Sequence, residues 1–443
     1  MKIVSVVRRS AGTFVSIFVA FGFMFSLSAQ ASKPDIVFIL IDSLRADHVG
    51  CYGYARRTTP WIDAFAANCV RFETVLAGGS WTQPAVMTLF TSVTPDVHQR
   101  VLPEKPHSSS VTTLAETLRS AGYRTVGITA NAMTARRYGF GRGFDVWNDA
   151  PATAWAGVSG ATEGTSYADG AAMTRLGLKR WAAADSEKPL FLFLFYMDAH
   201  WDFRPPAPYD RLFSPDGIPP PIGSCGWSAA KATPDIRRRA VDAYDGEIAF
   251  CDGVVSNLLT RILGTERGRR ALIVLTGDHG EGFWERGFAG HGNNLSDDEL
   301  RVPLIIRPPA EAEPLQPMVV RGLVGSIDIA PTVLDFAQIP VPARWMGRSL
   351  VPAMRTGRSV GLPVVSETRI APRHGWLRSV RTDRWKVVAQ HPFEHPLKVY
   401  DLLTDPSETN NLVRAGHPLP SDAERLIPLL MPVAENRTEG AKE

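Results

Sequence analysis

Three uninterrupted apolar runs dominate the pattern of this chain: Ile36 to Ile41, Pro189 to Tyr196, and Ala271 to Leu275. None of them alternates with polar residues, the pattern of strands covered on both faces in a parallel sheet. Each run stops at a polar cluster. The first ends in Asp42, with Ser43-Leu44-Arg45-Ala46-Asp47 as loop beyond it. The second ends in Met197-Asp198-Ala199-His200 and the third in Thr276-Gly277-Asp278-His279-Gly280-Glu281. Sheets of this kind hold ligands at the carboxyl ends of their strands, so the clusters are expected at one sheet edge.

Helical signals fall between the strands. Thr59-Pro60 opens a short helix through Ala67, and Val70 to Leu76 follows as a strand. Thr113 and Glu116 form a capping box for a helix ending at Gly122, and Thr125 to Thr129 resumes as strand. Thr233-Pro234 opens the longest helix, with Val241, Tyr244, Ile248, Val255, Leu259 and Ile262 as its core stripe and Gly264 as its stop. Val302 to Ile306 reads as a further strand and the region around Ile327 to Phe336 as a helix. Residues 150–170 and 205–221 read as loops. Past Gly347 the pattern shortens to strands at Trp376 to Arg381, Trp385 to Ala389 and Lys398 to Leu402, a small antiparallel sheet.

The N-terminus differs in kind. Lys2, Arg8 and Arg9 precede an apolar run from Ala11 to Leu27, and Ala29-Gln30-Ala31 supplies a small-x-small cleavage pattern. Residues 1–31 are therefore read as a secretory signal, too short for a bilayer span of about 20 residues. The expected location is periplasmic or secreted, with no membrane span after cleavage. The 443-residue chain has a formal charge of +3, and loss of the signal removes three cations and no acid. A mature chain without a net basic field gives no argument for a nucleic-acid partner. Four cysteines, Cys51, Cys69, Cys225 and Cys251, are too few for a disulfide scaffold; one bridge is possible, with the pair left open.

Candidate chemistry centres on Gly78-Gly79-Ser80-Trp81-Thr82-Gln83-Pro84. The glycines are read as giving the loop backbone freedom, and Pro84 suits the first turn of an apolar helix from Ala85 to Phe90. Thr82 then lies where unpaired N–H groups and the helix dipole favour an oxyanion, or serves only as a helix cap. The adjacent Asp278-His279 pair at a strand end is a metal signal, because both residue types are ligands of divalent cations and the flanking glycines let both face one point.

These residues together resemble the sulfatase family of the alkaline-phosphatase superfamily. The segments that carry the resemblance are Ile41-Asp42-Ser43-Leu44-Arg45-Ala46-Asp47-His48, Thr58-Thr59-Pro60, Thr82-Gln83-Pro84 with Leu89-Phe90-Thr91, Thr276 to Glu281, His291-Gly292 and Arg301-Val302-Pro303. Asp328 to Thr332 and Tyr400 to Pro406 add to it. The resemblance implies an alkaline-phosphatase-like α/β sandwich on a mixed central sheet over residues 32–350, with a smaller C-terminal antiparallel β subdomain over 351–443. It implies one divalent cation (Ca, Mn, Zn or Mg) held by Asp42, Asp278, His279 and Thr82, with Thr82 as nucleophile. His200 and His291 match histidines that bind substrate oxygens or protonate the leaving group. His98 matches a further substrate-side histidine in a supporting role. The expected substrate is a small-molecule or glycan ester; oligomeric state stays open.

Two departures from the family pattern matter. Where sulfatases carry Cys or Ser, oxidised to formylglycine, in C/S-x-P-x-R, this chain has Thr82, Pro84 and Val86. The family's second aspartate is Ser43. Threonine at this position is the nucleophile of phosphodiesterases and head-group transferases in the superfamily, and the transferases carry extra membrane spans absent here. The expectation is an exported hydrolase of phosphate, phosphonate or sulfate esters. The competing reading is a catalytically inactive relative that binds an anionic ligand or glycan.

Overall fold

The computed structural model describes residues 33–99, 111–150, 152, 170–201, 203–215, 232–310, 315–369, 375–391, 398–414 and 418–432. The expected signal segment, most of the loop at 150–170, Cys225 and much of the loop at 205–221 lie outside these residues.

Strands β1 (Ile36–Ile41), β2 (Val70–Leu76), β3 (Arg124–Thr129), β4 (Val146–Asn148), β5 (Leu190–Tyr196) and β6 (Leu272–Gly277) build most of the central sheet. A two-stranded ribbon, β7 (Gly282–Phe283) and β8 (Ala289–Gly290), stands apart. The central sheet is completed by β9 (Arg301–Val302), β10 (Leu304–Arg307) and β11 (Met318–Gly325), in the order β11-β2-β10-β6-β1-β5-β3-β4 with β9 on β2. The sheet is mixed: β10 runs antiparallel to both β2 and β6, and the strands from β6 to β4 are parallel. The expected strand at Val302 to Ile306 is split at Pro303, which has no N–H to give a ladder.

The apolar runs are continuous because both faces of these strands are covered. Phe38, Phe193 and Val274 point into one core with Phe90, while Ile39, Leu194 and Leu275 point into the other with Tyr244 and Leu258. Each such side chain contributes about 1.5–3 kcal/mol by leaving water. Helices flank the sheet: α1 (Pro60–Ala66), α2 (Thr82–Thr91), α3 (Leu114–Ser120), α4 (Gly170–Ala182), α5 (Pro234–Leu263) and α6 (Ile329–Phe336). Two of the sequence-read caps form: Thr113 and Glu116 close a capping box, and Thr233 accepts from Ile236 N. Thr59 holds the N-cap position of α1 without a side-chain cap bond, its hydroxyl being taken by Gly50 N and Asp63.

A second, antiparallel sheet follows in the order β12 (Val364–Thr368), β13 (Leu377–Arg381), β14 (Trp385–Gln390) and β15 (Lys398–Asp401). Three of these strands match the expected C-terminal sheet. The fourth, β12, has no counterpart in the sequence reading, and it is the strand that reaches the site. Among the described residues Cys51, Cys69 and Cys251 are free thiols, and no helix is long and apolar enough to cross a membrane.

Candidate active site

Since β1, β3, β5 and β6 are mutually parallel, and β2 shares their direction through antiparallel β10, five carboxyl ends meet at one edge. They deliver Asp42 from β1, the Gly78 to Thr82 loop from β2, Asn131 from β3, His200 from β5 and Asp278-His279 from β6.

Thr82 is the first residue of α2, and Trp81, in extended conformation, is the N-cap. The helix-cap reading of Thr82 is therefore displaced: its side chain is free of that duty, and its hydroxyl faces the site. The helix also begins three residues earlier than the sequence pattern suggested, with Pro84 in its first turn. Neither Gly78 nor Gly79 has a positive φ. These glycines serve close approach instead of backbone freedom. A Cβ on Gly78 would come within 2.5 Å of the Thr88 side chain, and one on Gly79 within 2.9 Å of Pro84 and of the Glu367 carbonyl.

Asp42, Asp278 and His279 are buried, and one ligand atom from each lies within 4.8 Å of the others. Thr82 Oγ1 stands 3.4 Å from His279 Nε2, which is 3.3 Å from Asp278 Oδ2 and 3.7 Å from Asp42 Oδ1. His279 Nδ1 donates to the Gly280 carbonyl at 2.8 Å, which leaves the Nε2 lone pair directed at the cluster. Burial, with His291 nearby, pushes His279 down to about 3, so the ring is neutral. Burial and then the Asp42 charge push Asp278 well above the usual carboxylate range, and its Oδ2 is buried without a hydrogen-bond partner. Two carboxylates, a neutral imidazole lone pair and an orphaned carboxylate oxygen are the donor set of a divalent cation. The residues present fit that group.

Ser43 occupies the left-handed region (φ 54), a conformation uncommon for a non-glycine residue. Its N–H donates to Asp278 Oδ1 at 3.0 Å and its hydroxyl to Asp42 Oδ1 at 3.0 Å. The residue that replaces a family carboxylate thus donates to both remaining ones.

His291 and His200 form the opposite wall, with ring centroids 5.1 Å apart, and His291 lies 4.4 Å from His279. Burial pushes His200 well below the usual histidine range. For His291 burial acts in the same direction, but the charge of Glu281 and its hydrogen bond to Nδ1, at 3.1 Å, outweigh it and raise the ring. His98 is not brought to this group. It is fully buried behind α2, and its Nε2 lies 3.1 Å from Thr88 Oγ1, so its place is in the support of the helix that carries Thr82.

Two site residues escaped the sequence reading as such: Glu281, the partner of His291, and Asn131. Asn131 stands two residues past the end of β3, and that polar position at a strand's carboxyl end was the available signal.

A family profile described as sulfatase matches residues 34–339. The chain belongs to the sulfatase family. A second profile, described as the C-terminal part of N-sulphoglucosamine sulphohydrolase, matches residues 292–420. The choline-sulfatase of Rhizobium meliloti is 25% identical to this sulfatase-family chain over 433 residues, covering 86% of it and 82% of the relative. Among solved structures, the phosphonate monoester hydrolase of Agrobacterium radiobacter superposes with a TM-score of 0.73 at 22% identity, over 89% of this chain and 95% of that one. A structure in complex with its substrate D-glucosamine-2-N,6-O-disulfate gives 0.73 at 19% identity, over 90% and 97%. At these identities the two structures establish a shared fold. This member of the family is an ester hydrolase of the sulfatase type, a group whose relatives hydrolyse sulfate or phosphonate esters.

Proposed function

We propose that this chain is an exported, divalent-cation-dependent hydrolase with Thr82 as nucleophile, acting on phosphate or phosphonate esters ahead of sulfate esters. The observation that carries this reading is the position of Thr82 Oγ1, 3.4 Å from His279 Nε2 and so within the same cluster as Asp42 and Asp278. A helix-capping threonine would face its own backbone.

Asp42, Asp278, His279 and Thr82 would hold the cation, which when bound supplies Lewis-acid polarisation of the ester and favours a deprotonated nucleophile. The chain's own residues do the rest. Thr82 Oγ1 forms a bond to phosphorus as the bond to the leaving oxygen breaks. His291, kept protonated by Glu281, delivers a proton to that leaving oxygen, and His200 lines the pocket beside it. The ring then takes a proton from water, whose oxygen attacks phosphorus and releases Thr82 with phosphate or phosphonate as product. A sulfothreonine formed in the same way lacks the elimination route open to a formylglycine hydrate, which is why phosphorus esters come first. Substrates bound by neighbours, including the glucosamine disulfate, suggest that the ester resides on a small molecule or sugar.

The test is turnover by wild type and Thr82→Ala with aryl phosphate mono- and diesters, an aryl phosphonate ester and an aryl sulfate, each with Mg, Ca, Mn or Zn. Wild type is expected to exceed Thr82→Ala by at least ~10³-fold on one phosphorus ester. Equal, cation-independent background in both proteins rules the reading out.

A further inference from the structure

Asn131 is 1% exposed and uses every polar atom of its side chain at the site. Its Oδ1 accepts from Met133 N at 2.7 Å and caps the short helical turn Ala132–Thr134. Its Nδ2 donates to Asp42 Oδ2 at 2.5 Å and to Thr82 Oγ1 at 3.2 Å. The orientation of the amide follows from these partners. Turned the other way, its carbonyl would face a carboxylate and its NH₂ would face an N–H, losing the bonds to Asp42 and Met133 together.

We propose that Asn131 is a catalytic hydrogen-bond donor to the nucleophile: its amide N–H groups tie the Thr82 oxygen to Asp42 and hold it in place for attack. This rests on the reading of Thr82 as nucleophile. The side chain brings no charge into a site that already holds two carboxylates, and it orients both oxygens by hydrogen bonding alone. Both N–H bonds are taken, one by Asp42 and one by Thr82, so neither remains for the substrate. Asn131 therefore acts on the chemical step and leaves substrate affinity alone. Together with Ser43, which donates to Asp42 and Asp278, it gives the cluster neutral donors where further ligands or charges would otherwise stand.

Two variants separate this role from the cap. Asn131→Ser keeps a good cap residue and removes both amide donors without adding charge. Asn131→Asp keeps the capping oxygen, removes the donors and places a third carboxylate against Asp42. With the aryl phosphorus ester that wild type turns over, Asn131→Ser is expected to lower kcat by about 10²-fold with KM within about twofold, by analogy with loss of one preorganised donor. Formation of the Thr82 adduct, followed by intact mass in a single turnover, is expected to slow equally. Asn131→Asp, melted with and without the divalent cation that wild type responds to, is expected to melt lower without cation and to reach half its cation-induced shift at a concentration at least about tenfold lower, because an anionic donor joins the set.

A wild-type rate in Asn131→Ser, or a rise in KM with kcat unchanged, overturns the proposal. So does an unchanged cation midpoint in Asn131→Asp, a reading that needs neither turnover nor a folded Ser variant. Turnover in Thr82→Ala would instead overturn the underlying assignment of the nucleophile.

Discussion

Two buried groups of carboxylates lie on either side of one stretch of chain, residues 278–299, and they are balanced in opposite ways. At the sheet edge, Asp42 and Asp278 face each other with only neutral donors around them: Ser43, Asn131 and the N–H of His279. At the seam with the C-terminal sheet, Asp297 is paired with Arg381 and lies 3.5 Å from Lys386 Nζ, which is itself fully buried and 2.7 Å from Glu408 Oε1. Burial raises a carboxyl in both places. At Asp297 the cations Arg381 and Lys386 win and hold it well below the usual range; at Asp278 no cation opposes burial and Asp42, and it is driven up. An acidic cluster that carries its own cations is structural. One from which they are missing leaves its donors open to a cation from outside, as the proposed function requires.

The seam also explains how a distant sheet serves the site. Asp298 and Glu299, beside Asp297, accept from Glu281 N and Gly280 N through their carbonyls, and so hold the loop that carries Asp278 and His279. A Cβ on Gly280 would meet the Asp298 carbonyl at 2.1 Å, so this contact needs glycine. From the same sheet, Ser366 Oγ donates to the Ala77 carbonyl, Glu367 N to Gly78, and Thr368 Oγ1 to Gly292. The C-terminal sheet thus grips the loop before Thr82 and the His291 loop together.

The largest effect is expected at the seam. Lys386→Met removes a buried cation and strands Glu408 and Asp297 partly unpaired, and is expected to cost about 3–5 kcal/mol in urea unfolding. A loss under about 1 kcal/mol would show that the seam does not depend on its internal cations. Next comes the external cation. At a hundredfold excess over its dissociation constant it is expected to stabilise wild type by about 2.7 kcal/mol. Lys386→Met is expected to keep that increment and Asp278→Asn to lose it. If Asp278→Asn keeps it, the cation is bound elsewhere and the contrast between the two clusters fails.

The sheet and the Asp42, Asp278 and His279 cluster were legible because their signals are local. A run such as Leu190 to Tyr196 needs no partner to declare itself buried on both faces, and Asp278-His279 is a pair in sequence before it is one in space. The capping box at Thr113 and the side-chain cap at Thr233 are equally short-range. What was hidden depended on distant chain. Strand β12 is short and bounded by prolines and glycines, and its meaning lies in Glu367 meeting Gly78, 289 residues away in the comparable bond from Ser366 to Ala77. Thr82 looked like a cap because Trp81, an unusual cap residue, takes that place only when the loop is folded against Glu367. Asn131 and Glu281 were similarly ordinary polar residues until the partners across the edge were known.

The smallest expected effect bears on the wall of the site opposite the carboxylates, where a charge imbalance is again used, now with the sign reversed. Glu281 is the carboxylate hydrogen-bonded to His291, and its charge, with a smaller contribution from Asp42, raises the ring against the pull of burial. If His291 supplies a proton to the leaving group, wild type stays active to higher pH than an isolated histidine would allow. Glu281→Gln keeps the size and one hydrogen-bond acceptor but removes the charge, so the ring is protonated only at lower pH. The basic limb of kcat/KM is then expected to move down, with about tenfold more activity lost at pH 9 than at pH 6 relative to wild type. The acid limb, which reports Thr82 and its donors, is expected to stay where it is. A basic limb that does not move would mean that His291 holds an oxygen without giving up a proton, and that the leaving group departs unprotonated; the dependence of kcat on leaving-group basicity would then steepen no further in the variant.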